Sequence, residues 1–199
     1  MKNLLTLLFF LVLSACTKND AGPQDQLPPA TTFGANTAGC YINGELLTPK
    51  NGSQEIGGSA AYGLTTGAGN NFHPPVIGDD YFYLRIANLK DLGGDSIYLQ
   101  INDMTMGLGN YIVGQSNNDY FDDGPNNPQV ILHIFDGSNI GKVFLSSPDS
   151  GVITFTRFDY SNGIYSGIFN VTVYNKDNPS EKVHVTDGRF DLKLATLNR

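Results

Sequence analysis

Asn117-Asn118-Asp119-Tyr120-Phe121-Asp122-Asp123-Gly124 crowds three carboxylates and two carboxamides into eight residues. Calcium takes about six to eight oxygen ligands of this kind. The order departs from an EF-hand loop and no distal Glu closes it. Asp119, Asp122 and Asp123 therefore stand as a weak calcium candidate against the simpler reading of a solvated loop, and no metal or other cofactor is expected. Asp119 and Asp122 are also the pair that glycoside hydrolysis would draw on, since that chemistry sets two carboxyls about 5–10 Å apart across a cleft. A second lead is aromatic. The chain has ten tyrosines and no tryptophan. Tyr81, Tyr83 and Tyr98 fall opposite the apolar residues of their segments, where exposed rings would stack on a sugar or a protein partner. The three histidines, His73, His133 and His184, show no metal-ligand spacing. They read as structural or surface residues, His73 in a loop before Pro74-Pro75. Neither a nucleophile elbow nor a phosphate-cradling loop occurs, and no catalytic residue is assigned. Gly57-Gly58, Gly63, Gly67 and Gly69 form a glycine-rich stretch without strand-then-helix context, which reads as a loop.

Cysteine chemistry is sharper. The chain opens Met1-Lys2-Asn3, runs through the ten residues Leu4 to Leu13, and continues Ser14-Ala15-Cys16. A bilayer-spanning helix needs roughly 20 apolar residues, so this run is too short to stay as one. It fits a cleaved signal peptide over residues 1–15. Leu13-Ser14-Ala15-Cys16 resembles the bacterial lipoprotein signal at all four positions. That resemblance implies diacylglycerol on Cys16, cleavage just before it and usually an acyl chain on the new amino terminus. Several chains at about 0.8 kcal/mol per buried methylene anchor stably. Palmitate would label the protein, and the membrane would be its partner through lipid. With Cys16 acylated, Cys40 is a lone thiol. Its apolar neighbours Tyr41 and Ile42 make it a buried strand residue rather than a reactive one.

The elements that must position these groups read as strands. Residues 16–36 carry Gly, Pro and polar residues and are expected to form a flexible tether. Residues 37–199 are expected to form one domain. Removing residues 1–15 also removes Lys2 and takes the net charge from −7 to about −8. The twelve basic residues are dispersed, which argues against a nucleic-acid partner. Period-two alternation recurs between turn signals, and no sustained helical period follows Cys16. Asn43-Gly44 between Cys40-Tyr41-Ile42 and Glu45-Leu46-Leu47 is a type I′ hairpin signal. Phe82, Leu84 and Ile86 share one face, as do Ile97, Leu99 and Ile101, with Tyr98 and Gln100 opposite. Residues 129–135, 142–145, 152–158 and 164–174 read the same way, the last two joined at Ser161-Asn162-Gly163. In the final segment the apolar parity flips between Val183, Val185 and Phe190, Leu192, Leu194. Either Gly188 sits in a bulge of one long strand, which is preferred, or Asp187-Gly188 turns a hairpin. In the bulge reading Gly167 lies roughly opposite. About nine or ten strands predict an all-β fold, an antiparallel β-sandwich or barrel-like domain.

Leu27 to Gly44, the block Thr154 to Tyr174 and the ending Val185-Thr186-Asp187-Gly188-Arg189-Phe190-Asp191 resemble an uncharacterised family of small Gram-negative β-rich lipoproteins, a domain of unknown function. The likeness covers roughly half of the mature chain. Thr48 to Asn127 follows it only in general pattern, and Ala38 stands where a larger apolar residue is expected. The resemblance implies an exported, lipid-anchored β-domain and brings no catalytic residues.

The expected function is a non-enzymatic binding or accessory module of the cell envelope, in the outer membrane facing periplasm or surface, with a glycan or envelope protein as partner. The alternative readings are a carbohydrate-binding sandwich using the tyrosines, or a hydrolase. Asp95-Ser96-Ile97 resembles a short acceptor motif for periplasmic O-glycosylation, with Ser96 as the acceptor.

Overall fold

A computed structural model of the chain describes residues 26–53, 61–68, 81–90, 94–135 and 141–198. The expected signal peptide, Cys16, His73 and most of the glycine-rich stretch lie outside these residues.

Among the described residues ten strands form in chain order. They are β1 (Thr37–Ile42), β2 (Glu45–Leu47), β3 (Leu64–Ala68), β4 (Phe82–Ala87) and β5 (Ser96–Ile101), then β6 (Gly109–Ile112), β7 (Gln129–Ile134), β8 (Lys142–Asp159), β9 (Ile164–Asn175) and β10 (Lys182–Lys193). They make one antiparallel sheet in the order β2-β1-β10-β9-β8-β7-β5-β4-β3, with β6 beside the second half of β8. The sheet curls into a half-barrel. Its curvature is visible in Phe82 of β4, whose ring lies 5.0 Å from that of Phe155 on β8 and 5.4 Å from that of Phe190 on β10. Strands that distant in the sheet meet only when it wraps round a common interior. The chain after β2 closes one end: Lys50 N donates to Ala87 O, and Lys50 O accepts from Leu89 N. Asn198 then reaches the β3 edge, its Nδ2 donating to Leu64 O at 2.8 Å.

Alternation fills the interior as the sequence predicts. Phe82, Leu84 and Ile86, Ile97, Leu99 and Ile101, and Tyr165, Phe169, Val171 and Val173 all join one buried cluster with Val183, Val185, Phe190 and Leu192. Cys40 is buried and free, and burial pushes its thiol up to about 12. Asn43 and Gly44 both take positive φ, 48° and 88°, as a type I′ turn demands.

The parity flip in β10 is a bulge. Val185 pairs with Val171 and Gly188 with Phe169, so Thr186 and Asp187 together oppose Asn170. The residue that takes the left-handed conformation is Asp187, at φ 53°, not Gly188. An aspartate tolerates that region through its short polar side chain. Gly188 serves another need: a Cβ there would stand 2.4 Å from the Phe169 ring. Gly167 does the same for Phe190, its ladder partner.

Of the expected tether, residues 26–36 are described, and Thr31 to Asn36 are bonded to β10 and β8. The Asp191 carboxylate accepts from Thr31 Oγ1, from the backbone N–H groups of Phe33, Gly34 and Ala35, and from Ser166 Oγ. Asn36 Oδ1 accepts from Lys193 N, and Arg157 donates to Thr32 O. The body of the domain thus extends upstream of Thr37. Burial raises the Asp191 pKa, but the donors around it outweigh that and hold the carboxyl below its usual range.

Candidate functional site

The outer face of β4, β5 and β7 carries the polar half of each alternation. Cross-strand pairing lines these residues up in rows. Tyr83 pairs with Gln100 and Gln100 with Gln129; Arg85 pairs with Tyr98 and Tyr98 with Ile131; Ser96 pairs with His133. Every residue of β5 is buried: Ile97, Leu99 and Ile101 face the core, and the segment from Ser116 to Pro125 folds over the outer face.

Side-chain amides bolt that segment down. Gln129 Nε2 donates to Asp119 O, Gln100 Nε2 to Phe121 O, Asn117 Nδ2 to Asp123 O and Asn102 Nδ2 to Pro125 O. Four alternate carbonyls are thereby taken by carboxamides. Phe121 N donates back to Gln100 Oε1, which holds Phe121 at φ 52°, a strained setting for a bulky residue. Asp119 and Asp123 are exposed. Among the described residues no three His, Cys, Asp or Glu side chains gather where they would hold a metal ion.

The expected tyrosine platform is not exposed. Tyr81 is 6 % and Tyr98 4 % accessible. Tyr83 and Tyr98 stack at 6.0 Å and Phe121 packs edge-on against both. Period two assigns a side chain to a face; it does not say what else covers that face. Burial first, then the neighbouring Tyr81, raises the Tyr83 pKa, and burial likewise pushes Tyr98 up. Ser96 is also buried within β5, which hides the expected glycosylation acceptor in the folded domain.

Beside the folded-over segment the same face opens into a cleft of about 610 Å³, within the span of ordinary small-molecule sites. Arg85, Ser96, Tyr98, Tyr120, His133 and Phe135 line it, as do Gly52, Ala61 and Leu89. Tyr120 reaches it from the segment whose next residue Gln100 grips. Its hydroxyl lies 2.8 Å from His133 Nε2; the phenol donates when the ring carries its proton on Nδ1. Burial, and then the Arg85 charge, lower the His133 pKa, which favours the neutral imidazole. Burial raises the Tyr120 phenol, with Arg85 acting against it.

Of the tyrosines singled out from sequence, Tyr98 alone reaches the cleft. Arg85, Tyr120, His133 and Phe135 join it from two strands, a loop and a strand end. The signal available beforehand was that Arg85, Tyr98 and His133 occupy outward positions of three alternating segments; strand order was missing. No protein-family model, curated protein or solved structure matches this chain.

Proposed function

We propose that this protein is a non-enzymatic sugar-binding module of the cell envelope, held at the outer membrane through lipid on Cys16, with the cleft on β4, β5 and β7 as its site. The observation that carries the binding role is the cleft itself, where Tyr98, Tyr120 and Phe135 stand beside Arg85, His133 and Ser96. Apolar ring faces next to a few fixed polar groups suit a pyranose, which has an apolar face and a hydroxyl rim. The hydrolase alternative draws less support. Asp119 is not among the described cleft residues, the Asp122 side chain lies outside the described residues, and His133 bonds Tyr120 through the ring nitrogen that a serine partner would need. The anchor is supported by Leu13-Ser14-Ala15-Cys16.

Two experiments test the reading. Labelled palmitate should enter the full-length protein and fail to enter Cys16→Ser. On a glycan array the protein should retain at least one carbohydrate class and lose it in Tyr120→Ala. An array with no binding anywhere contradicts the sugar-site reading.

A further inference from the structure

Arg85 sets the chemistry of the ligand. Its guanidinium is half-buried at the cleft, and no ion pair or hydrogen bond joins it to another described residue. The other described arginines behave differently: Arg157 pairs with Asp159 at 2.8 Å, and Arg189 lies 3.9 Å from Asp187. In a chain with 19 acidic and 12 basic residues, a cation partly removed from water and paired with no carboxylate among the described residues is costly to leave unmatched. Its described neighbours in the cleft do not match it. Tyr98 is its ladder partner, and Tyr98, Tyr120, Ser96 and neutral His133 bring no negative charge.

We infer that the cleft binds an acidic sugar, with the pyranose ring against Tyr98 and Tyr120 and its carboxylate on Arg85. This inference rests on the reading of the cleft as a sugar site. A planar carboxylate meets the guanidinium fork through two parallel hydrogen bonds. A monoanion is favoured over a phosphate monoester, which carries about −1.5 to −2 charge at neutral pH, because Arg85 is the one Lys or Arg among the described cleft residues. The Tyr120 hydroxyl, held at the cleft beside His133, is placed to meet a ring hydroxyl.

Calorimetric titration of the full-length protein in detergent tests this with two probes, trigalacturonate and its neutral counterpart trigalactose. Trigalacturonate should bind about ten-fold tighter or more, the scale of one charge-assisted contact. The advantage should shrink between low and 0.5 M salt, and vanish in Arg85→Gln. Equal binding of the two probes by the wild-type protein overturns the acidic-ligand inference and leaves the sugar site standing. Binding of neither overturns both. The salt comparison uses unaltered protein, so it decides the matter even where Arg85→Gln folds poorly. An advantage that survives 0.5 M salt undiminished counts against Arg85.

Discussion

Gln100 grips Phe121 by both edges of its backbone: Phe121 N donates to Gln100 Oε1 at 2.9 Å, and Gln100 Nε2 donates to Phe121 O at 2.8 Å. A side-chain amide here does what a neighbouring strand would do. It fixes the segment that covers Tyr83 and Tyr98 and holds Tyr120 at the cleft. Gln100→Leu strips partners from Phe121, Asn102, Gln129 and Tyr98 at once. Each buried group left unsatisfied costs about 1–3 kcal/mol, so urea unfolding should show a loss of about 3 kcal/mol or more. Near-ultraviolet circular dichroism should also change as the tyrosines lose their packing. Unchanged stability would refute this account of the segment.

Asp191 joins the two ends of the domain. Oδ2 accepts from Thr31, Phe33 and Ala35, while Oδ1 accepts from Gly34 and Ser166. In Asp191→Asn one of these positions becomes an amide that confronts donors with donors. A loss of about 3 kcal/mol is expected, with faster hydrogen exchange at Phe33, Gly34 and Ala35. Retained protection at those amides would show that the carboxylate does not hold the segment.

Stability should fall on both sides of neutrality. The His133 pKa is lowered from its ordinary 6.5, so below that pH the unfolded chain takes up a proton first and the folded state loses ground. Asp191 adds to this as pH falls below 3.8. Asp95, raised by burial first, acts in the opposite sense in the same acid range. On the alkaline side Cys40, Tyr83, Tyr98 and Tyr120 are all raised, mainly by burial. The unfolded chain therefore gives up protons first above the ordinary values of 9.0 and 10.0. Melting curves between pH 4 and 11 should peak near neutrality, and His133→Gln should flatten the limb below pH 6.5.

Gly167 makes room for Phe190. A Cβ at position 167 would lie 2.4 Å from Thr154 O and 2.6 Å from the Phe190 ring. Gly167→Ala should cost about 1–3 kcal/mol by overpacking. Combining it with Phe190→Leu should recover part of that loss in a double-mutant cycle. Strict additivity would mean that the two positions do not share the space.

Much of this architecture was legible in the sequence. Asn43-Gly44 named its own turn, because few residue pairs accept two consecutive positive φ angles. The parity flip between Val185 and Phe190 required an extra residue, and β10 has one. What stayed hidden depends on partners distant in the chain. Asp191 binds a segment 156 to 160 positions away. The tyrosine face is covered by Phe121, held there by amides whose roles no local pattern announces. The cleft draws on Arg85, Tyr98, Tyr120 and His133, whose convergence follows from the pairing of β4, β5 and β7 and the return of the loop after β6.

A crystal structure of the protein soaked with trigalacturonate tests the central claim most directly. The account predicts a sugar ring in the cleft with its carboxylate within about 3 Å of the Arg85 guanidinium. A cleft left empty at saturating ligand, or ligand seated elsewhere on the half-barrel, would contradict it.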